Sequence, residues 1–200
     1  GMLITDDPDY FAKAVVMSGA YEHNWKKHHG EKQFFEKWQN QLPLYNMRLN
    51  NLSALIVDSQ IPYLDERIEN GRRNHDIAAK KLSHSEWIHV PDKFEHEARA
   101  PDSIQFNLVG LTLLEVSQFC DLINRMGVAL QVFGNSKDNA RAFWNWDFLP
   151  ERFNLPKTRG MLMNACDVRL PARLNVDDCK SIAEMILEAL RQVKSNMAAE

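Results

Sequence analysis

No apolar run in this chain approaches the roughly eighteen residues that a helix needs to span a bilayer. No basic segment leads into an apolar one at the N-terminus either, so neither a membrane span nor a signal peptide is expected. Basic blocks are absent, and the formal net charge is −3. That argues against nucleic-acid or membrane-surface partners, which need clustered Lys and Arg. Cysteine is scarce: Cys120, Cys166 and Cys179 lie far apart and form no Cys-x-x-Cys pair. An odd count without metal spacing suits reduced thiols and a cytoplasmic location. A Gly-rich phosphate loop, a Ser-His-Asp order, a metal-ligand cluster, internal repeats and low-complexity tracts are all missing.

What remains is an ordinary globular composition, 44% hydrophobic and 26% charged over 200 residues. This length suits one domain or one and a half and can bury a sizeable core. His23, His28 and His29 fall within seven residues, but no carboxylate or thiol stands at matching spacing. Lys26 and Lys27 would add like charge, so no metal is expected there.

The N-terminal part reads as short helices. Met2–Thr5 is a short strand candidate. Asp7-Pro8 is a helix start, with Asp as N-cap, Pro at the first helical position and Asp9 in the first turn. Gly19 fits a left-handed residue closing that helix. Residues 31–39 continue as an amphipathic helix with Phe34, Phe35 and Trp38 at core spacing.

The C-terminal part alternates strands with helices. Trp87–Val90 and Ser103–Val109 are strand-like, the second with Ile104, Phe106 and Leu108 on one face. Thr112-Leu113-Leu114-Glu115 is a capping box opening a helix whose stripe is Val116, Phe119, Cys120 and Ile123, closed by Gly127. Cys120 on that stripe reads as a small core residue, since no base accompanies it. Val128–Phe133 and Met161–Leu170 are further strand candidates, with a short helix or turn over 137–146 between them. Asn175 caps the last helix, where Cys179, Ile182, Ala183, Ile186, Leu187, Leu190 and Val193 give a clear helical period. Strands between helices 112–126 and 176–194 make an α+β fold, a small antiparallel or mixed sheet covered on one side by helices.

Between these parts runs Leu42–Leu64. Pro43 bars helix before Leu44, Asn50 or Asn51 can cap, and Leu52, Leu55, Ile56 and Ser59 then recur at helical spacing. Pro62 interrupts, and a charged helix bearing Glu66, Arg67, Glu69, Arg72 and Arg73 follows to about Ser83. Directly before the capped helix stand Tyr45, Asn46 and Arg48. Taken alone, this group is a turn with a solvated Arg.

The run Tyr45-Asn46-Met47-Arg48-Leu49, with Leu52, Ala54, Gln60 and Leu64, resembles a signature of the DegT/StrS-type, PLP-dependent sugar aminotransferases of fold type I. That family reads approximately Tyr-Asn-x-Arg-Met-x-Glu-Leu-x-Ala. Gly1-Met2-Leu3-Ile4-Thr5-Asp6-Asp7 is similar to its Gly-Gly-x-x-x-Thr-Asp-Asp strand, and Arg169-Leu170-Pro171 to its last strand and Leu-Pro. The match spans nearly the whole chain in family order, although only the Tyr-Asn-x-Arg block is specific. This sequence has Asn51 where the family usually has Glu.

The resemblance implies a large-domain remnant over 1–50, connecting helices over 51–85 and the small C-terminal α+β domain over 86–200. It implies PLP as cofactor, with Asn46 at the cofactor phosphate of a neighbouring subunit. Arg48 lies at the same interface, and Tyr45 completes the block. The family's cofactor-binding lysine and its pyridinium-binding acid both precede the strand at which this chain starts, so no catalytic residue and no metal ligand is assigned. A homo-oligomer or a separate N-terminal half is the expected partner. Phe11, Val15, Phe34, Phe35 and Trp38 would have lost their large-domain partner, which predicts oligomerisation or a repacked N-terminus. The expected function is the C-terminal portion of an aminotransferase for amino or nucleotide sugars, inactive alone. The alternative is a non-catalytic dimerisation or protein-binding domain.

Overall fold

The computed structural model describes residues 3–19, 21, 23–135, 139–149 and 153–197. The chain divides into two compact units, Gly1–Pro62 and Tyr63–Glu200, and each is described by itself.

In the first unit, helix α1 spans Pro8–Ser18, α2 spans Lys32–Trp38 and α3 spans Asn51–Asp58, with a 3-10 turn at Asn24–Lys27. The carboxylate of Asp7 caps α1 by accepting from the N–H groups of Asp9 and Tyr10 at 2.9 and 3.2 Å. Asp9, one residue inside the helix, joins α1 to α2. It accepts from Nζ of Lys37 and Nε1 of Trp38, both at 2.8 Å. These donors, the Lys37 ammonium foremost, hold its carboxyl well below the usual carboxylate range. Ala12, Val16, Trp25 and Phe35 form a small core against which Phe11, Val15, Phe34 and Trp38 pack. Trp25 lies flat on Phe35 with ring centroids 5.1 Å apart. The aromatic side chains Phe11, Trp25, Phe34, Phe35 and Trp38 thus pack in one cluster.

Three local expectations differ from the structure here. Gly19 has φ −75° and ψ 150°, an extended conformation open to any residue, so the helix does not end in a left-handed glycine. Leu3–Thr5 belongs to no regular element, and Met2 of that strand candidate lies outside the described residues. Asn50 caps α3 by accepting from the Ser53 N–H at 2.8 Å, yet the helix has no buried residue. Its apolar stripe faces solvent, because the small core of this unit is closed by α1, α2 and the 3-10 turn.

In the second unit, α4 spans Leu64–Leu82, α5 Leu113–Arg125, α6 Pro156–Leu162 and α7 Val176–Met197. The strands are β1 Ile88–His89, β2 Ser103–Leu108, β3 Leu130–Val132 and β4 Ala165–Arg169. They form one antiparallel sheet in the order β1-β2-β4-β3, with Ile104 opposite Val168 and Leu130 opposite the same Val168. Alternate residues Ile104, Phe106, Cys166 and Val168 enter the core, where they meet Val116, Phe119 and Ile123 of α5 and Ala183, Ile186 and Leu190 of α7. This is the expected α+β layer arrangement, and the sheet is wholly antiparallel.

Helix α4 belongs to the same core through Ala78 and Leu82. Its fully buried Asn74 donates from Nδ2 to the carbonyls of Pro171 and Leu174 at 3.0 and 3.3 Å, fixing the turn between β4 and α7. The Thr112–Glu115 capping box forms as expected, and Asn175 accepts from the N–H groups of Asp177 and Asp178 at 2.8 and 2.9 Å. Cys120 is half-buried on α5, and its burial raises the thiol to about 11. Met161–Leu170 is not one strand. Pro156 starts α6, which runs through Leu162, and β4 begins only at Ala165. Of the segment 137–146, Lys137 and Asp138 lie outside the described residues, and Phe143–Asn145 is a 3-10 turn.

Candidate functional site

Tyr45, Asn46 and Arg48 lie on the segment that enters α3, in the first unit. The stretch 43–50 forms no helix or strand, as Pro43 and the cap at Asn50 require, yet it is tethered. The N–H of Tyr45 donates to the Met17 carbonyl at 2.6 Å and that of Met47 to the Ser18 carbonyl at 3.2 Å. Those carbonyls close the last turn of α1, where intrahelical partners run out. Asn46 lies between these two donors and Arg48 directly follows the second, so both are carried on the tethered backbone.

All three side chains are exposed, Tyr45 to 47%. No hydrogen bond or ion pair joins Asn46 or Arg48 side chains to another described residue. The site therefore holds two unspent donors, an amide and a guanidinium, on a backbone fixed by two hydrogen bonds. An amide and a guanidinium suit phosphate oxygens, and Arg adds a fork geometry. Beside them, a groove of about 600 Å³ runs along α1, lined by Leu3, Tyr10, Phe11, Ala14, Met17 and Met47. Its lining could not be found from sequence, because it needs Met47 to come back against α1.

Among the described residues no lysine is buried. The Lys194 ammonium is spent on Glu115 at 2.8 Å and on the Gly110 carbonyl at 3.1 Å. Nor do three His, Cys, Asp or Glu side chains converge among the described residues in a way that could hold a metal ion. No described helix is long and apolar enough to cross a membrane.

The second unit has a smaller cleft of about 250 Å³, with His75, Glu97, Arg99, Asp102, Ser103 and Gln105 in its wall. Arg99 is held there by Glu97 and donates to the Asp92 carbonyl at 2.9 Å. The Arg99 guanidinium in turn keeps the Glu97 carboxyl below the usual range. No motif announces this cleft, since α4, the 91–102 loop and β2 each supply part of it.

A comparison with curated protein sequences finds no match. Solved structures share the fold. Spr1654 of Streptococcus pneumoniae, assigned as a sugar aminotransferase, in its PMP form superposes with a TM-score of 0.74 at 15% identity, over 99% of this chain and 47% of that one. The GDP-4-keto-6-deoxy-D-mannose-3-dehydratase of E. coli, with bound hydrated PLP, gives 0.67 at 19% identity, over 92% and 49%. PseC of Helicobacter pylori, an aminotransferase involved in the biosynthesis of pseudoaminic acid, gives 0.65 at 11% identity, over 76% and 40%. The chain thus spans less than half the length of each of these structures. The model of the DegT/DnrJ/EryC1/StrS aminotransferase family matches residues 1–187, and with the α+β architecture and the Tyr45–Arg48 block in place, the chain belongs to that family.

Proposed function

We propose that this chain is the C-terminal portion of a PLP-dependent aminotransferase acting on amino or nucleotide sugars, and that its contribution to the cofactor site is a phosphate-binding corner made by Asn46 and Arg48. The observation that carries this reading is the pair of unspent donors on a tethered backbone, at the family's Tyr-Asn-x-Arg block. PLP fits the residues present at its phosphate end: the Asn46 amide would donate one hydrogen bond, and the Arg48 guanidinium would add charge and a second. Tyr45 anchors the corner through its backbone. When bound, PLP supplies the carbonyl carbon that takes up and releases an amino group.

No residue of this chain is assigned a catalytic role. The lysine that would bind the cofactor covalently is placed outside it, a reading supported by the exposed or half-buried state of every described lysine. A partner then completes the site, either a second subunit or a separate N-terminal half. Residues 1–50 derive from the large cofactor domain, 51–85 from the connecting helices and 86–200 from the small domain. The free thiols of Cys120, Cys166 and Cys179 fit a cytoplasmic protein. The second reading, a non-catalytic dimerisation or protein-binding domain, is favoured by a different observation, the absence of any buried residue in α3.

The corner is tested by titrating the 15N-labelled chain with PLP and, separately, with pyridoxal. The side-chain amide of Asn46 should shift with the phosphorylated form only, and weakly. Asn46→Ala should reduce that binding by about 1.5–3 kcal/mol, the value of a hydrogen bond to a charged group. Equal responses to both compounds would remove Asn46 and Arg48 from a phosphate site.

A further inference from the structure

The cleft of the second unit is built from separate parts of the chain. Helix α4 supplies His75, the loop over 91–102 supplies Arg99 and Asp102, and β2 supplies Ser103 and Gln105. Ser103 and Gln105 share the face of β2 opposite Ile104 and Phe106, which enter the core. The loop is seated on α4 where Gly71 admits the Pro101 carbonyl and where Arg72 Nε donates to the Arg99 carbonyl at 2.8 Å. Both walls are therefore held in place.

The polar groups of the cleft are only partly used. Arg99 spends Nε and Nη2 on Glu97, and Nη2 also on the Asp92 carbonyl at 2.9 Å. Nη1 is left without a partner among the described residues. The Glu97 carboxylate is spent in return, on Arg99 and on the Phe94 N–H at 3.0 Å. His75 meets Asp76 through Nδ1 at 3.2 Å, which leaves its Nε2 open. The Ser103 hydroxyl makes no hydrogen bond among the described residues. The Arg99 and His75 side chains are only 21% and 12% exposed, so packing positions them. Asp102 gives one oxygen to Arg169, and Gln105 gives its N–H group to Asp167, so an acceptor oxygen of each is open.

We propose that this cleft binds a small phosphate monoester that carries hydroxyl groups, its phosphate held by Arg99 Nη1, His75 Nε2 and the Ser103 hydroxyl. Donors arriving from separate elements suit the spread oxygens of a tetrahedral phosphate. A planar carboxylate is best met by the paired edge of a guanidinium, and Glu97 already occupies that edge. The open oxygens of Asp102 and Gln105 accept from the hydroxyls of the ligand. The volume of about 250 Å³ is that of roughly eight liquid waters, below the usual 300–1,000 Å³ of drug-sized sites, so a nucleotide is too large. The proposal lies wholly within the second unit and does not rest on the cofactor reading.

The test is a titration of the 15N-labelled intact chain with glycerol phosphate, inorganic phosphate, glycerol and glycerate, carried out on Asn46→Ala so that the first unit's corner is silent. The backbone amides of Ser103 and Gln105 and the Nε–H of Arg99 should shift with glycerol phosphate, less with inorganic phosphate, and not with glycerol or glycerate. Ser103→Ala and His75→Gln, each added to that background, should weaken binding by roughly tenfold. Both should keep the unfolding midpoint, because the Ser103 hydroxyl is unbonded and the His75–Asp76 contact is largely exposed. No shift with glycerol phosphate overturns the proposal. So does equal affinity for glycerate or for inorganic phosphate, or undiminished binding in the two variants. Each of these results leaves the Asn46 titration with PLP and pyridoxal intact, so the two readings fail separately.

Discussion

The backbone N–H of Tyr45 donates to the Met17 carbonyl at 2.6 Å, and this bond fixes the segment before α3 against the end of α1. Without it the segment 43–50 would be a free connection between helices, and its side chains would have no fixed position. With it and the companion bond from Met47 to Ser18, the Asn46 and Arg48 positions are set relative to α1. Met47→Pro removes that second donor and also restricts Asn46, the residue before it. The loss should be about 1 kcal/mol, the net worth of one such bond. Hydrogen exchange should show lost protection at Tyr45, with protection in β2 and β4 unchanged.

Gly71 sits inside α4, where Ala would ordinarily be favoured by about 1 kcal/mol. A Cβ at this position would lie 2.2 Å from the Pro101 carbonyl oxygen, and that oxygen is backbone. Relief requires the loop to move off α4, which breaks the bond from Arg72 Nε to the Arg99 carbonyl at 2.8 Å. Steric conflict therefore outweighs propensity. Gly71→Ala should destabilise the chain by about 1–3 kcal/mol, as overpacking does, in chemical denaturation followed by circular dichroism. A stabilised variant would mean that the loop is not seated on the helix.

Glu115 is buried, and its carboxyl is lowered from the ordinary 4.5 to about 2. The Lys194 ammonium is the largest cause, followed by the Thr112 backbone N–H at 2.6 Å. A carboxyl depressed in the folded state stabilises it above the unfolded pKa, and that stabilisation is lost as pH falls through the folded one. The window is thus from about pH 4.5 down to about pH 2. Glu115→Gln should be less stable than wild type at pH 7. Across that window the gap between the two should close, a change readable from denaturation midpoints measured at successive pH values.

How legible was all this in the residues? Signals confined to one turn of chain held. The Asp7, Asn50, Thr112 and Asn175 caps form because each side chain reaches N–H groups only two or three residues away. Strand alternation at Ile104, Phe106 and Leu108 held because one face of the sheet is buried. The Tyr45–Arg48 block was readable only as a family resemblance, since its polar side chains carry no periodicity of their own. Its tether to Met17 and Ser18 left no trace, being a pairing between backbone groups. The apolar stripe of α3 was legible as a stripe, but whether anything covers it is decided by tertiary packing. Met161–Leu170 misleads because an apolar run has no period to separate the end of α6 from β4, although Pro156 marks the helix start.

On the proposed function, this chain carries the phosphate donors of a cofactor site and not the lysine that binds PLP covalently. The most direct measurement is to incubate the 200-residue chain with PLP, reduce with borohydride and map pyridoxyl-lysine by mass spectrometry. Exposed lysines such as Lys26, Lys32 and Lys157 should take up scattered, low-level label, with no position near one mole per mole. Stoichiometric modification of a single lysine, with binding lost when that lysine is replaced, would contradict the account and place a complete covalent site within this chain.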